Sequence, residues 1–422
     1  MKKLCAVFLA IICAVLTTIP TYATEVEKDR FVKEFESNVQ YTAMLNSFKN
    51  EEGEIVYPNY YGGAYLNEAG LLVVNVTDNN AAILEEIRRI TRNTDVIIEV
   101  VDYSYNYLLG LQNQVIEYIA TSKNVDLIEK ITSTAVLDNS NELTIGLTDT
   151  NDSTILNVIN EIFYAEKRRT TVDALSIPLS FVYEVPVDMS ANSVVQVSEL
   201  QRNQSFDLYA GDMICIINED DPENGSYCSV GFACYYNGMA GFVTCAHGCK
   251  IGERVVDSLG RTVGYVRHRA YGGNVDAAFV EITNPNVQLP MSIHAIFSDG
   301  TGEAIWPAPP ASTAYVAVGS TIYKDGYVTN CTSSEVTSVN ATYSYDDKIE
   351  GCRITMTDLI RTGAMVQKGD SGGIAFHKGT GTTAYKVGIV QGITHVAGIT
   401  LVSYFVKSDN IRDDLGISFV AP

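Results

Sequence analysis

The chain has 422 residues, 46% hydrophobic and 19% charged, which makes it globular rather than disordered and long enough for two domains. A net charge of -21 and a pI near 4.6 argue against electrostatic binding to nucleic acid or to an anionic membrane. They suit a soluble protein that repels its own copies.

The first residues read Met1-Lys2-Lys3, then an apolar run, then Thr21-Tyr22-Ala23 with small residues where a signal peptidase reads. Residues 1–23 are expected to be a secretory signal peptide, too short in its apolar run for a comfortable membrane anchor. Cys5 and Cys13 leave with it. The other cysteines, Cys215, Cys228, Cys234, Cys245, Cys249, Cys331 and Cys352, all fall in the second half. An exported, crosslink-free first part and a second part able to carry disulfides follow. The remaining count is odd, so at least one thiol stays outside any internal bridge.

Residues 71–78 read as a strand, residues 79–91 as a helix with Ala82, Ile83, Ile87 and Ile90 on one face, and residues 94–101 as a second strand. The order recurs: residues 143–149 match the first strand, Ile155, Val158, Ile159 and Ile162 carry a helix, and residues 177–183 close the unit. Thr77-Asp78 and Thr148-Asp149 stand where helix N-caps are expected. Residues 24–204 therefore read as an α/β region with a duplicated βαβ-like unit. Residues 188–206, rich in Ser, Asn and Gln, read as the linker.

From residue 205 to 422 helical periodicity nearly vanishes. Residues 232–236 and 239–244 flank Asn237-Gly238, a type I′ hairpin signal. Residues 261–269, 277–282, 314–318, 338–343 and 385–390 are expected to add strands, giving a mainly β barrel or sandwich.

Three short segments carry chemistry: Thr244-Cys245-Ala246-His247, Asn274-Val275-Asp276-Ala277 and Gly369-Asp370-Ser371-Gly372-Gly373. A serine hydroxyl needs a base to take its proton, and an imidazole needs a carboxylate to hold its tautomer. Ser371, His247 and Asp276 can fill these roles, with the amides of Gly369 and Ser371 as oxyanion donors. The α/β-hydrolase elbow is excluded, because no Asp or Glu lies between Ser371 and His395. Cys245, His247 and Cys249 are zinc-type ligands without a fourth at recognisable spacing, so no metal and no cofactor is expected. His268, His294, His377 and His395 read as surface or packing residues.

These segments resemble the chymotrypsin-like serine proteases, and within them the bacterial secreted branch of α-lytic protease and the streptogrisins. Ala210-Gly211-Asp212, Cys228-Ser229-Val230-Gly231-Phe232 and Leu359-Ile360-Arg361-Thr362 extend the likeness. Gly62-Gly63-Ala64-Tyr65 before the strand at 71–78 resembles the pro-regions of the same branch. The resemblance implies two perpendicular antiparallel six-stranded β-barrels over residues 205–422, with the triad between them. It implies a secreted endopeptidase acting on protein or peptide substrates, and a pro-region that serves as foldase and inhibitor. It also implies a Cys228–Cys249 bridge, although Cys249 stands one residue late, and Lys324 as partner of Asp370. Cys331 with Cys352 is expected as a second bridge on position alone. In the substrate-binding strand the chain departs from the family: Gln391-Gly392-Ile393 stands for Ser-Gly-Gly. Gln391 can supply an amide donor to the aspartate or disturb the site. Ile393 is expected to narrow the primary pocket toward small aliphatic residues. The departures leave a second reading, a catalytically weak homologue that binds peptides or an extracellular partner.

Overall fold

The computed structural model describes residues 22–163, 177–187, 189, 192–194, 205–218, 224–296, 303–307, 315–347, 350–379, 383–396 and 399–421. The expected signal peptide falls outside these except for its last two residues, which begin the helix Tyr22–Ser47. Most of the expected linker falls outside as well.

The first half repeats one motif. The hairpin Tyr61–Leu66 with Leu72–Val76 leads through helix Ala81–Thr91 to Ile97–Val100, which lies parallel to Leu72–Val76. The hairpin Ile131–Leu137 with Glu142–Leu147 leads through helix Ser153–Ile162 to Leu179–Tyr183, parallel to Glu142–Leu147. The helix caps sit slightly later than the sequence reading placed them. Asn80 accepts from the Ile83 amide, and Asp152 from those of Thr154 and Ile155. Asp78 and Asp149 instead accept from the amides two residues on, at 3.0 and 2.8 Å, so each makes the Asx turn that feeds its cap.

The second half is two antiparallel barrels. In the first, Met213–Ile217, Arg254–Asp257, Thr262–Gly272, Val275–Ile282 and Met239–Thr244 follow one another in hydrogen-bonded order. The sixth member runs as Asn224–Ser229 beside Met213–Ile217, then bends to pair as Ala233–Tyr236 with Met239–Thr244. Gly231 N donating to Val243 O at 2.8 Å closes the ring. The hairpin turn has both Asn237 and Gly238 at positive φ, 49° and 81°, as a type I′ turn requires. In the second barrel the order is Thr321–Lys324, Ile374–Lys378, Ala384–Val396, Ile399–Lys407, Cys352–Gly363 and Thr332–Asp347, and the last pairs back onto the first. Residues 314–318 form no ladder strand; of the described part, only Val318 bridges, to Tyr65.

The two halves share a sheet. Thr332–Asp347 uses residues 332–335 to close its barrel and residues 341–343 to pair with Ile131–Leu137. Buried polar groups fix this seam. Arg361 Nη2 lies 2.6 Å from Glu184 Oε1, while Ser133 and Tyr404 donate to Glu184 Oε2 at 2.6 and 3.1 Å.

The cysteine pairings expected from the sequence do not form: none of the seven cysteines is in a disulfide. Cys331 precedes the strand Thr332–Asp347, whereas Cys352 pairs with Asp347 at its far end. A strand of that length spans roughly 50 Å, far beyond the ~7 Å Cα limit of a disulfide. Between His247 and Cys249 stands Gly248 with φ 89°. That extra residue turns the Cys249 thiol onto the Ala246 carbonyl at 3.3 Å. Cys228 faces the Cys245 thiol and accepts from Thr244 Oγ1 at 3.5 Å.

Candidate active site

Each barrel contributes part of one site. His247 follows the strand Met239–Thr244, and Asp276 is the second residue of Val275–Ile282. The register sets Thr244 opposite Ala278, which brings the two side chains together. Ser371 lies on the loop before Ile374–Lys378 of the second barrel.

Asp276 is fully buried and fully committed. Its Oδ1 accepts from the amides of Ala246 and His247 at 2.7 and 2.8 Å, and its Oδ2 lies 2.5 Å from His247 Nδ1. A carboxylate in that position holds the proton on Nδ1 and leaves the Nε2 lone pair to act as base. Burial lowers the pKa of His247, but the Asp276 carboxylate outweighs it and holds the imidazole above its ordinary value. His247 Nε2 and Ser371 Oγ are both buried, and neither has a hydrogen-bond partner among the described residues.

The serine loop is shaped by what it touches. Gly369 has φ 103°, and a Cβ there would meet Tyr327 Oη at 2.7 Å. Gly372 has φ 80°, and a Cβ there would meet Thr244 Oγ1 at 2.3 Å, so only glycine lets this loop pack on the histidine strand. Ser229 ties the loop from the other side: its amide donates to Ser371 O at 2.8 Å and its hydroxyl to Gly369 O at 3.1 Å. The amides of Gly369 and Ser371 engage in no hydrogen bond among the described residues.

Beneath the loop, Lys324 Nζ donates to Asp370 Oδ2 at 3.0 Å. Asp370 also accepts from the amides of Gln367, Val328 and Thr329. Burial pushes the Lys324 ammonium below its ordinary pKa despite the opposing attraction of Asp370.

Gln391 and Ile393 are buried in the strand beyond the loop. Gln391 Oε1 has no partner among the described residues, and no hydrogen bond joins Gln391 to Asp276. Gly392 lies beneath the ring of Tyr343, 2.7 Å from where its Cβ would be. Cys245, His247 and Cys249 do not form a group that could hold a metal ion.

Some participants escaped the sequence reading. Tyr271 stands opposite Asp276 in the ladder, and its hydroxyl lies between Tyr345 Oη, at 2.7 Å, and Asp347 Oδ2. Tyr343 Oη donates to Ile393 O at 2.9 Å. Nothing in a tyrosine-rich strand marks these positions. Ser229 was legible in principle, since it stands in the Cys228-Ser229-Val230-Gly231 stretch.

Residues 24–101 match a family model described as a Pro-like N-terminal domain. Serine protease 1 of Streptomyces fradiae is 31% identical over 153 residues, 36% of this chain and 39% of that one. Over these stretches the chain is similar to a Pro-like N-terminal domain and to a bacterial serine protease. It thus spans about two-fifths of the length of the curated relative it matches. Among solved structures it is similar to Cellulomonas bogoriensis chymotrypsin, at 25% identity over 51% of this chain and 100% of that one, with a TM-score of 0.38. It is also similar to Nocardiopsis protease, at 26% identity over 50% and 98%, with a TM-score of 0.40.

Proposed function

We propose that the chain is the precursor of a secreted serine endopeptidase that cleaves peptide bonds through an acyl-enzyme. The observation that carries the reading is the 2.5 Å His247–Asp276 contact, with His247 Nε2 and Ser371 Oγ both buried and without partners among the described residues. His247 takes the Ser371 proton as Oγ attacks the carbonyl, then gives it to the leaving amine. Asp276 orients the imidazole and offsets its charge. The amides of Gly369 and Ser371 receive the oxyanion.

In this reading residues 24–204 are the pro-region and residues 205–422 the protease. The shared sheet and the Glu184–Arg361 pair support a foldase and inhibitor role: an all-β fold of distant pairings folds slowly, and a preformed partner strand lowers that cost. Export is supported by the leader-like residues 1–23. Among the described residues no helix is long and apolar enough to cross a membrane.

A fluorophosphonate probe with a Ser371→Ala control tests the reading. Labelling that Ser371→Ala abolishes is expected. A folded protein that never labels would put the peptide-binding reading ahead, in keeping with the unpartnered Gln391 oxygen.

A further inference from the structure

The second barrel reaches across to the first by a long hairpin, Thr332–Asp347 with Cys352–Gly363. Its tip is fastened to the first barrel at three points, each beside a member of the His247–Asp276 pair. On the aspartate side, the Thr357 amide donates to Gly273 O at 2.7 Å, and Gly273 bridges to Met356. Gly273 stands in the turn three residues before Asp276. Opposite Asp276 in the ladder, Tyr271 meets Tyr345 and Asp347 of the tip. On the histidine side, Arg269 Nε donates to Ala246 O at 3.1 Å, while its Nη2 lies 2.6 Å from Glu350 Oε1.

The contacts at Tyr271 have one direction. A phenol carries one proton, and a carboxylate can only accept. Tyr271 therefore donates to Asp347 Oδ2 and accepts from the Tyr345 hydroxyl. The Glu350 amide donates to the other oxygen, Asp347 Oδ1, at 2.8 Å. Asp347 is buried, and the Arg269 guanidinium lies over the Tyr271 ring, 4.7 Å from its centroid. Directly opposed residues of an antiparallel pair share a face with Cβ atoms about 5 Å apart, so Tyr271 stands against the Asp276 side chain. Gln391, expected to support Asp276 from the second barrel, makes no hydrogen bond to it. The hairpin tip makes the link between the barrels at this point instead.

We propose that Tyr271 and Asp347 are positioning residues of the catalytic pair: Tyr271 holds the tip carboxylate on its flank, and Asp347 acts on His247 as a second negative charge that stabilises the protonated imidazole. The inference rests on the protease reading above. In that reaction the imidazole becomes a cation when it takes the Ser371 proton, and a second anion nearby shares with Asp276 the task of offsetting it. The charged and titratable groups around His247 come from several elements. Asp276, Arg269 and Tyr271 belong to the aspartate hairpin, and Cys228, Cys245, Cys249 and Glu253 to the histidine loop and its neighbours. Tyr345, Asp347 and Glu350 belong to the tip, and Asp370 with Lys324 lies beneath the serine loop. Burial lowers the His247 pKa, while Asp276, Cys228 and Asp347 raise it and prevail.

Two readouts on the full chain separate this role from packing alone. In the Ser371→Ala chain, the titration of the His247 ring is followed by NMR with and without Asp347→Asn. Asparagine keeps an acceptor for Tyr271 and removes the charge. Losing a negative charge disfavours the imidazolium, so the midpoint is expected to fall by about 0.5 pH unit. Asp347→Glu should restore it. Asp346→Asn, at the exposed neighbour paired with Arg353, should leave it in place. In the chain that keeps Ser371, the acid limb of kcat/KM on a small ester should move down with the midpoint, with kcat about threefold lower and KM unchanged. A midpoint unmoved by Asp347→Asn, or moved equally by Asp346→Asn, would overturn the inference. Fluorophosphonate labelling of the chain that keeps Ser371 decides the protease reading separately, and the ring titration tests the charge effect in either case. If Asp347→Asn does not fold, Tyr271→Phe, which releases the Asp347 carboxylate, is expected to lower the midpoint as well, and a fixed midpoint there would equally overturn the inference.

Discussion

Lys324 Nζ and Asp370 Oδ2 meet at 3.0 Å with both side chains wholly buried. The residue before the serine is thus held by a cation from the chain interior, and no newly made N-terminus is needed to neutralise it. Breaking a buried pair leaves an uncompensated charge, at about 3–5 kcal/mol. Lys324→Met is expected to lower Tm by roughly 10 °C and to reduce fluorophosphonate labelling, as the serine loop loses its floor. An unchanged Tm by calorimetry would remove the pair from the account.

The pH profile of the processed enzyme follows from His247. The base must be neutral, and Asp276 holds its pKa above the ordinary histidine value. Activity is expected to rise with pH through a point above about 6.5. Asp276→Asn should move that limb downward and cost about 10⁴-fold in kcat. Initial rates on a small ester substrate between pH 5 and 9 test both, and an acid limb unmoved in Asp276→Asn would contradict the assignment.

Glu184 receives three hydrogen bonds at the seam, from Arg361, Ser133 and Tyr404. Glu184→Ala strands the buried Arg361 guanidinium and is expected to weaken association of the halves by about 3–5 kcal/mol. The yield of processed protease, with Ser371→Ala precursor stability alongside, reads this out.

Asp138 is buried in the first half, and desolvation lifts its carboxyl to about 7, against an opposing hydrogen bond from Ala64 N. A folded pKa above the unfolded value near 3.9 favours the neutral form. Its stabilisation is complete below about pH 4 and is lost as pH rises through 7, about 4 kcal/mol in all. Urea unfolding of Ser371→Ala precursor should show stability falling from pH 5 to 8, and Asp138→Asn should flatten the slope.

Thiol counting tests the cysteine geometry. Alkylation of denatured, unreduced protein is expected to modify all seven cysteines of the signal-free chain. A crosslinked peptide holding Cys331 and Cys352 would contradict the strand register that separates them.

The mainly β second half with its α/β preface was legible in the sequence because periodicities and turn residues are local. Asn237-Gly238 announces its hairpin, and strand–helix order announces the parallel pairs. The pairing of His247 with Asp276 was expected from the motifs and the family resemblance, since no local rule brings residues 29 positions apart together. Disulfides were misread for that same reason: Cys331 and Cys352 are near in sequence but at opposite ends of a long strand. The caps at Asn80 and Asp152 were missed by a few residues because Asp78 and Asp149 make Asx turns, which use the same side-chain chemistry as a cap. Tyr271, Tyr343 and Tyr345 were invisible, because a tyrosine in a strand has the same look whether it packs a core or backs a carboxylate.

In the proposed reading, removal of the first half would take from residues 341–343 the strand that covers them. A bare ladder of amides and carbonyls invites another chain to join it. This strand carries register breaks between Val336 and Ser338, Ser338 and Ala341, and Ala341 and Tyr343. Bulges twist an edge out of the plane that a second flat strand needs. On that reading, the irregularity that bends this hairpin would also protect a freed second half against self-association.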